Sequence, residues 1–402
     1  MEKFVILRDA SRGMRPEAIY PRPGPFGTAA GRLDLPPEPR VETADLSSAE
    51  LRGAARDPEV VAVARAMPIR LIEPRGAPTA ASAGAPTWGV ARVGATASPF
   101  DGAGVRVAVL DTGIDATHPA FAGVNLIQKD FTGSGNGDGH GHGTHCAGTI
   151  FGRDVGGTRI GVAPGVTEAL IGKVLGADGS GGSEMLFAAM NWASEENARV
   201  ISMSLGFDFP GLADRLVTVN GLPVALATSI ALEAYRMNLR VFDSLMDLMR
   251  AKVDFNGGTV VCAASGNESE RQIAPDFEVS ASVPAAALGV VSVGALAEGA
   301  NGLTVAPFSN TNPVVSAPGV GVVSAWPGGG LKSLNGTSMA CPHVAGVTAL
   351  WWQALGAASL PLTSRAVEAR LLASAVRTPF APGVDTADRG QGLVQAPTAA
   401  VS

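Results

Sequence analysis

The chain of 402 residues is poor in charged, aromatic and cysteine side chains. Aromatic residues make up only 5% of it, which argues against a stacking surface for single-stranded nucleic acid. Acidic residues outnumber basic ones, so the formal net charge is −6 and no general basic surface for nucleic acid or anionic lipid is expected. The composition therefore predicts neither a nucleic-acid partner nor a membrane partner.

Long hydrophobic runs are missing as well. No stretch approaches the roughly 18 apolar residues of a membrane-spanning helix, and the apolar run in the N-terminal MEKFVILRDASRG is too short for a signal peptide. Three cysteines, Cys146, Cys262 and Cys341, cannot form a full disulfide framework. We therefore expect a cytoplasmic protein, with export by a non-Sec route as the alternative.

The front of the chain differs in composition from the rest. Residues 1–73 carry strand patterns at 4–7, 60–63 and 68–72, a helical pattern at 46–56 and a Pro/Gly-rich tract at 16–39. Residues 74–86 are small and rich in Ala, Gly and Pro, which is typical of cleavable linkers. We therefore divide the chain into a small α/β front unit at 1–84, which ends in this linker, and a larger domain at 85–402.

The larger domain alternates short apolar runs with helical patterns, which predicts a mostly parallel β-sheet flanked by helices. Strands are expected at 105–110, 168–175, 200–203, 258–264 and 290–294, and helices at 142–151, 183–198, 223–252, 338–355 and 364–375. The 51 glycines and 28 prolines mark the turns between these elements. The predicted fold class is α/β.

Four glycine-bearing segments place polar residues where local structure does not require them. They are DTGID at 111–115, DGHGHGTHC at 138–146, AASGNE at 263–268 and NGTSMACPH at 335–343. The first and third follow strands, and groups at the carboxyl ends of parallel strands line the ligand crevice of such sheets. The fourth places a serine at the start of a helix, where backbone N–H groups can stabilise an oxyanion.

Each segment alone also has an ordinary structural interpretation. Asp111 and Asn267 fit turns, and Ser338 fits a helix cap. The histidines at 140, 142 and 145 are compatible with a metal site, a catalytic base or a solvated loop, although no paired zinc ligands stand nearby. The order Asp, His, Ser, with an Asn between the last two, favours a Ser-His-Asp triad.

Together the motifs resemble those of the subtilisin-like (subtilase) serine peptidases. The matched residues are DTGID at 111–115, HGTHCAGT at 142–149, SMSLG at 202–206, ASGNES at 264–269 and GTSMACPHVAG at 336–346. The resemblance covers roughly residues 88–375, and the fixed order of several long motifs makes coincidence improbable. It implies a serine endopeptidase that forms an acyl-enzyme with extended polypeptide substrates.

The resemblance also implies a role for each matched polar residue. Ser338 corresponds to the nucleophile, and His142 to the general base that later acts as the acid. Asp111 corresponds to the carboxylate that orients His142 and stabilises its charged form. Asn267 corresponds to the side-chain donor of the oxyanion hole, which it shares with the backbone N–H of Ser338.

Substrate binding is implied at two further places. Ser204, Leu205 and Gly206 resemble the edge strand against which the family binds extended peptides by main-chain hydrogen bonds. Residues 280–284 are expected to form the wall of the specificity pocket, where small side chains leave room for a medium or large apolar residue. His140 and His145 are expected to be structural.

The front unit is similar to the N-terminal propeptide of the family. This similarity implies that the chain cleaves its own N-terminal region, and that the region inhibits the cleft until then. A permanent accessory domain is the alternative, and the similarity does not account for the tract at 16–39.

No cofactor is required for this chemistry, and we assign no metal ligand. The family often binds calcium through an acidic residue after the His-Pro that follows DTGID, but Ala120 occupies that position. A hard cation needs several oxygen ligands, so this site is expected to be absent. A structural calcium ion elsewhere stays open.

Residues 207–257 form an insertion that is longer than the family usually has before the Asn-bearing strand. Apolar residues recur at three- and four-residue steps along 223–252, which predicts one long helix. We favour a packing helix. The alternatives are a surface for self-association and a lid beside the substrate strand.

Three other functions compete with a general endopeptidase. A dedicated processing peptidase or transpeptidase with a narrow substrate would use the same chemistry. A non-catalytic peptide-binding relative would need a broken triad, and none of the three residues is missing. A metal-binding protein built on the histidines is the weakest alternative.

Overall fold

The computed structural model describes residues 2–12, 37–76, 86–358 and 360–399. The strands are β1 (Glu2–Asp9), β2 (Pro39–Leu46), β3 (Val60–Arg65), β4 (Pro68–Leu71), β5 (Val107–Asp111), β6 (Asn125–Asp130), β7 (Glu168–Lys173), β8 (Ser180–Gly182), β9 (Val200–Met203), β10 (Leu205–Phe207), β11 (Val260–Ala264), β12 (Val290–Gly299), β13 (Gly302–Val305), β14 (Val315–Pro318), β15 (Val322–Trp326) and β16 (Gly330–Leu334). The helices are α1 (Ser48–Ala54), α2 (Trp88–Arg92), α3 (His142–Phe151), α4 (Ser183–Glu195), α5 (Phe209–Thr218), α6 (Val224–Ala251), α7 (Val253–Asn256), α8 (Thr337–Ala357), α9 (Ser364–Ala373) and α10 (Thr386–Arg389). Most of the Pro/Gly-rich tract and linker residues 77–85 lie outside the described residues.

An eight-stranded sheet organises the larger part of the chain, in the order β13-β12-β11-β9-β5-β7-β6, with β14 also paired to β12. Its pairs are parallel except for β12 with β13. Alternate residues of β5 face opposite sides: Val109 lies in an apolar core with α3 and α8, and Leu110 in a core with α4 and α6. The predicted mostly parallel sheet flanked by helices is confirmed.

The predicted strands and helices of this domain are present, with bounds that shift by a few residues. Several strands lie where none is predicted. β6 is an edge strand that is only half-buried and lacks an apolar run, and β8 has only three residues, too few for a periodic pattern. The three-residue β10 overlaps the edge strand that the family resemblance implies at 204–206. Within the described ranges, no helix is both long and apolar enough to cross a bilayer.

The front unit forms its own antiparallel sheet in the order β2-β1-β3. Its helix α1 begins after Ser47, whose hydroxyl accepts a hydrogen bond from the backbone N–H of Glu50 while the Glu50 carboxylate accepts one from the backbone N–H of Ser47. This reciprocal cap satisfies two donors at the start of a short helix. β1, α1 and β3 therefore match the predicted elements, whereas the division of the chain at residue 84 stays a prediction.

Helix α6 of the insertion lies against the front sheet. The Nδ2 of Asn238 donates to the backbone oxygen of Arg65 at the end of β3, 2.7 Å away. Phe242 is fully buried, its ring centroid lies 6.0 Å from that of Phe187 in α4, and both share an apolar core with Val5 of β1. One face of α6 thus packs against the front sheet and α4, as the favoured packing role requires. Self-association through the insertion stays a prediction.

We predict that the Phe242→Ala substitution lowers the free energy of unfolding by about 3–5 kcal/mol, because it leaves a cavity in this core. Urea unfolding followed by circular dichroism measures the change, in a Ser338→Ala background that prevents the expected self-cleavage. The matched control is Leu226→Ala on the exposed face of the same helix, which should change stability by about 0.5 kcal/mol or less. Equal effects of the two substitutions would contradict a packing role.

Candidate active site

Three of the predicted site residues meet at the carboxyl edge of the sheet. Asp111 is the last residue of β5, His142 the first of α3, and Ser338 the second of α8. All three are buried. The Nδ1 of His142 lies 2.9 and 3.0 Å from the two carboxylate oxygens of Asp111, so the imidazole donates to Asp111 and its tautomer is set.

A half-buried carboxylate that is not among the predicted site residues holds the Asp111 loop against α3. Asp138 accepts hydrogen bonds from the hydroxyls of Thr112 and Thr144, at 2.8 and 2.6 Å. Burial raises the pKa of Asp138, but these bonds and those from the backbone of Gly141 and Thr144 outweigh it, so the pKa is lowered. Its position in the DGHGHGTHC segment, directly before the catalytic helix, is the signal that could have marked it.

The pKa of His142 reflects two opposing influences. Complete burial lowers it, because a charged imidazole loses its hydration. The charge of Asp111 raises it, and the net result is a pKa well above the ordinary value for histidine. Asp111 therefore stabilises the protonated form that a general base must pass through.

The second ring nitrogen of His142 is not bonded to Ser338 in this conformation. His142 Nε2 is buried without a hydrogen-bond partner among the described residues. The Oγ of Ser338 instead donates to the backbone oxygen of Ile72, 2.8 Å away. A nucleophile and base that separate in the resting state can still come together during reaction.

Other histidines and cysteines around the site have packing roles. The Nε2 of His145 lies 3.1 Å from the backbone oxygens of Val322 and Lys332, and burial lowers the pKa of His145 to about 3, so it is neutral as the structural assignment requires. The Sγ of Cys146 lies 3.7 Å from His142 Nδ1. Burial raises the pKa of the Cys146 thiol, which makes it a poor nucleophile.

Asn267 is oriented by the start of helix α8. Its Oδ1 accepts hydrogen bonds from the backbone N–H and the hydroxyl of Thr337, each 2.9 Å long. This fixes the amide so that Nδ2 points into the cleft, where it donates to the backbone oxygen of Glu73 at 2.8 Å. The predicted oxyanion donor thus binds a peptide carbonyl beside Ser338.

The cleft is occupied by the chain's own residues 68–75. Strand β4 runs antiparallel between β10, which contains the predicted substrate-binding residues Leu205 and Gly206, and β8. The pairing continues with the Ile72 N–H donating to the backbone oxygen of Ser204 at 3.2 Å. Ser204, Leu205 and Gly206 therefore pair with an extended segment of the same chain, and their binding of substrate peptides stays a prediction.

The same peptide is held beyond Ser338. The backbone N–H of Arg75 donates to the oxygen of Asn335 at 2.8 Å, and the Nδ2 of Asn335 donates to the Arg75 oxygen at 2.9 Å. The guanidinium of Arg75 donates twice to the backbone oxygen of Asn267, at 2.7 and 3.1 Å. Residues 72–74 thus pass Ser338 between two segments that are held by hydrogen bonds.

A cavity of about 700 Å³ adjoins the bound segment. The insertion contributes Phe209, Leu232 and Tyr235 to its lining, and the predicted pocket wall contributes Ser282. Glu268 lies at the same cavity. The insertion therefore borders the space beside the substrate strand, although the structure does not show it moving as a lid.

We predict that Asp111→Asn lowers the pKa of His142, since it removes the charge that raises this pKa and leaves the burial that lowers it. Asparagine retains the oxygen that accepts from the Thr112 N–H. An NMR titration of the imidazole in a Ser338→Ala background measures the shift, and Asp115→Asn is the matched control. An unchanged pKa in Asp111→Asn would contradict the assigned pairing.

Comparison with known proteins relates the chain to one family. The family model for the subtilase family matches residues 102–394. The chain is 36% identical over 274 residues to subtilisin Savinase of Lederbergia lenta, covering 65% of this chain and 82% of that protein. It is 33% identical over 287 residues to the subtilisin-like serine protease Pen c 1 of Penicillium citrinum, covering 66% and 58%.

A third relative is the cuticle-degrading serine protease of Arthrobotrys oligospora, 32% identical over 305 residues, which cover 69% of this chain and 61% of that protein. The chain thus spans only about three fifths of the length of several curated relatives that it matches. The family match, in contrast, covers all the residues that form the site. The chain belongs to the subtilase family of serine peptidases.

Proposed function

We propose that the protein is a serine endopeptidase that hydrolyses extended polypeptides through an acyl-enzyme at Ser338, and that its own N-terminal region is its first substrate and then its inhibitor. The observation that carries the proposal is the peptide segment in the cleft. It pairs with the edge strand as a substrate would. The carbonyl oxygen of its residue Ile72 lies 2.8 Å from Ser338 Oγ. Extended peptides of other proteins would bind in the same way.

The residues at the site suffice for acyl transfer. Ser338 Oγ attacks the carbonyl carbon while its proton passes to His142 Nε2, and Asp111 stabilises the resulting imidazolium. Asn267 Nδ2 donates to the oxyanion. His142 then protonates the leaving amine. A water molecule, deprotonated by His142, attacks the ester, which releases the new carboxylic acid and restores Ser338.

This mechanism sets a direction for pH dependence. His142 accepts a proton only when it is neutral, and its pKa is raised. Activity is therefore lost as the pH falls through that raised pKa, and the acid limb should lie above the ordinary pKa of histidine.

Inhibition follows from the same contacts. β4 fills the substrate position between β8 and β10, and the front sheet adds a second area of contact on α4 and α6. After one peptide bond is cut, these contacts remain, so the front unit leaves slowly and competes with other substrates. Self-association through residues 207–257 has no comparable support.

A processing peptidase or transpeptidase remains the second candidate, because residues of the insertion line the cavity beside the bound segment and could select a narrow range of substrates. A transpeptidase would pass the acyl group to an amine instead of water. A non-catalytic relative is less well supported, since Asp111 and His142 are paired and buried beside Ser338.

We predict that Ser338→Ala abolishes hydrolysis of casein and leaves the chain intact, because no other group at the site can form the acyl-enzyme. Intact-mass analysis of the purified chain and a casein assay measure both effects. Ser134→Ala, at an exposed serine, is the matched control and should behave as wild type. Cleavage of casein and of the chain by purified Ser338→Ala would contradict the serine mechanism.

A further inference from the structure

The segment in the cleft offers two bonds to the nucleophile, Ile72–Glu73 and Glu73–Pro74. We propose that the chain cleaves itself between Ile72 and Glu73, and that the cleft accepts a buried aliphatic side chain, rather than an acidic one, on the acyl side of the cut. This inference rests on the proposed function and adds to it the bond and the class of substrate.

The first reason is the position of the nucleophile. The Ser338 hydroxyl lies 2.8 Å from the oxygen of Ile72, whereas the oxygen of Glu73 is bonded to Asn267. In the attack, the Nδ2 of Asn267 donates its hydrogen bond to the Ile72 oxygen, and its present hydrogen bond to the Glu73 oxygen is broken. The exchange therefore requires the chain to rearrange at Ile72 and Glu73 before the attack.

The second reason is the register of the bound strand. Regular pairing places Leu71 opposite Leu205 and Arg70 opposite Gly206, and it ends with the hydrogen bond from Ile72 to Ser204. The backbone N–H of Leu71 also donates to the oxygen of Gly179 at 2.8 Å. Ile72 is therefore the last residue that strand pairing holds on the acyl side of the nucleophile.

The third reason is the surroundings of the two side chains. Ile72 is only 4% exposed, and its Cγ1 lies about 4.0 Å from the position that a Cβ on Gly206 would take. Glu73 is exposed. The adjoining cavity is lined by charges of both signs, Asp208 and Glu268 as well as Arg70 and Arg75, so the cost of placing a glutamate side chain there is its loss of hydration.

The fourth reason is the leaving group. Cleavage after Ile72 releases the primary amine of Glu73. Cleavage after Glu73 would release the ring nitrogen of Pro74, whose Cδ occupies the space of an amide hydrogen and restricts the preceding residue. The ring would therefore crowd the side from which His142 must deliver a proton.

The reaction at this bond needs only Ser338, His142 and one water molecule. The Ser338 Oγ–C bond to Ile72 forms, the Ile72–Glu73 C–N bond breaks, and the Ser338 proton reaches the Glu73 nitrogen through His142. Water then cleaves the ester, so one water is consumed and the released front fragment ends in the Ile72 carboxylate.

The test is the mass of both fragments at the earliest detectable stage of processing of the full chain. We expect a front fragment that ends at Ile72 and a remainder that begins at Glu73. A front fragment that ends at Glu73 or later would overturn the inference and leave the proposed function intact. A chain that never cleaves itself or casein would overturn both.

Variants separate the two bonds further. Ile72→Asp should slow processing by about tenfold or more, because it buries a carboxylate, whereas Glu73→Gln and Ile72→Val should process at the same bond at nearly the wild-type rate. Pro74→Ala should leave the bond unchanged. A cut that moves to follow Glu73 in Pro74→Ala would contradict the assignment.

Peptides test the pocket without dependence on folding of the variants. The processed enzyme should hydrolyse Ile-Arg-Leu-Ile-p-nitroanilide with a kcat/KM at least about tenfold above that for Ile-Arg-Leu-Glu-p-nitroanilide, since only the second places a charge in the pocket. Equal or reversed values would overturn the predicted side-chain preference, while hydrolysis of either peptide would still support the endopeptidase.

Discussion

The structure depends on one interaction, the addition of residues 68–72 as a strand between β10 and β8. This pairing brings the Ile72 carbonyl to Ser338. It also fixes where the front sheet lies, since β4 follows β3 after only two residues. The front sheet consequently rests on α4 and α6, and the long helix of the insertion is buried on that face. The cleft, the front unit and the insertion are therefore connected: β4 pairs in the cleft, and the front sheet that precedes it packs against α6 of the insertion.

The residues of the candidate active site owe their position to the parallel sheet. Strand β5 ends at Asp111, and α3 and α8 begin with their first turns at the same edge. Asp138 accepts hydrogen bonds from Thr112, next to Asp111, and from Thr144, in the first turn of α3. These bonds fix the position of Asp111 relative to His142. Burial without this pairing would lower the pKa of His142; with it, the pKa is raised.

The sequence predicts the triad, the oxyanion donor and the edge strand because each lies in a long motif next to a glycine turn. It also predicts the central strands and α6, whose apolar patterns are long and regular. It does not predict β8, or the pairing of β4 between β8 and β10, because a three-residue strand has no periodicity and the pairing depends on contacts between distant parts of the chain. The role of Asp138 is not predicted either, because its partners Thr112 and Thr144 are distant from each other in sequence and come together only in the fold.

The central claim is that the chain's own strand occupies its own active site. The most direct measurement is the rate of first cleavage of freshly refolded full-length protein over a wide range of protein concentration. Because the bond lies beside Ser338 of the same molecule, we predict a first-order rate constant that does not change with concentration. A rate constant that rises in proportion to concentration would mean that another molecule makes the cut, and would contradict the account.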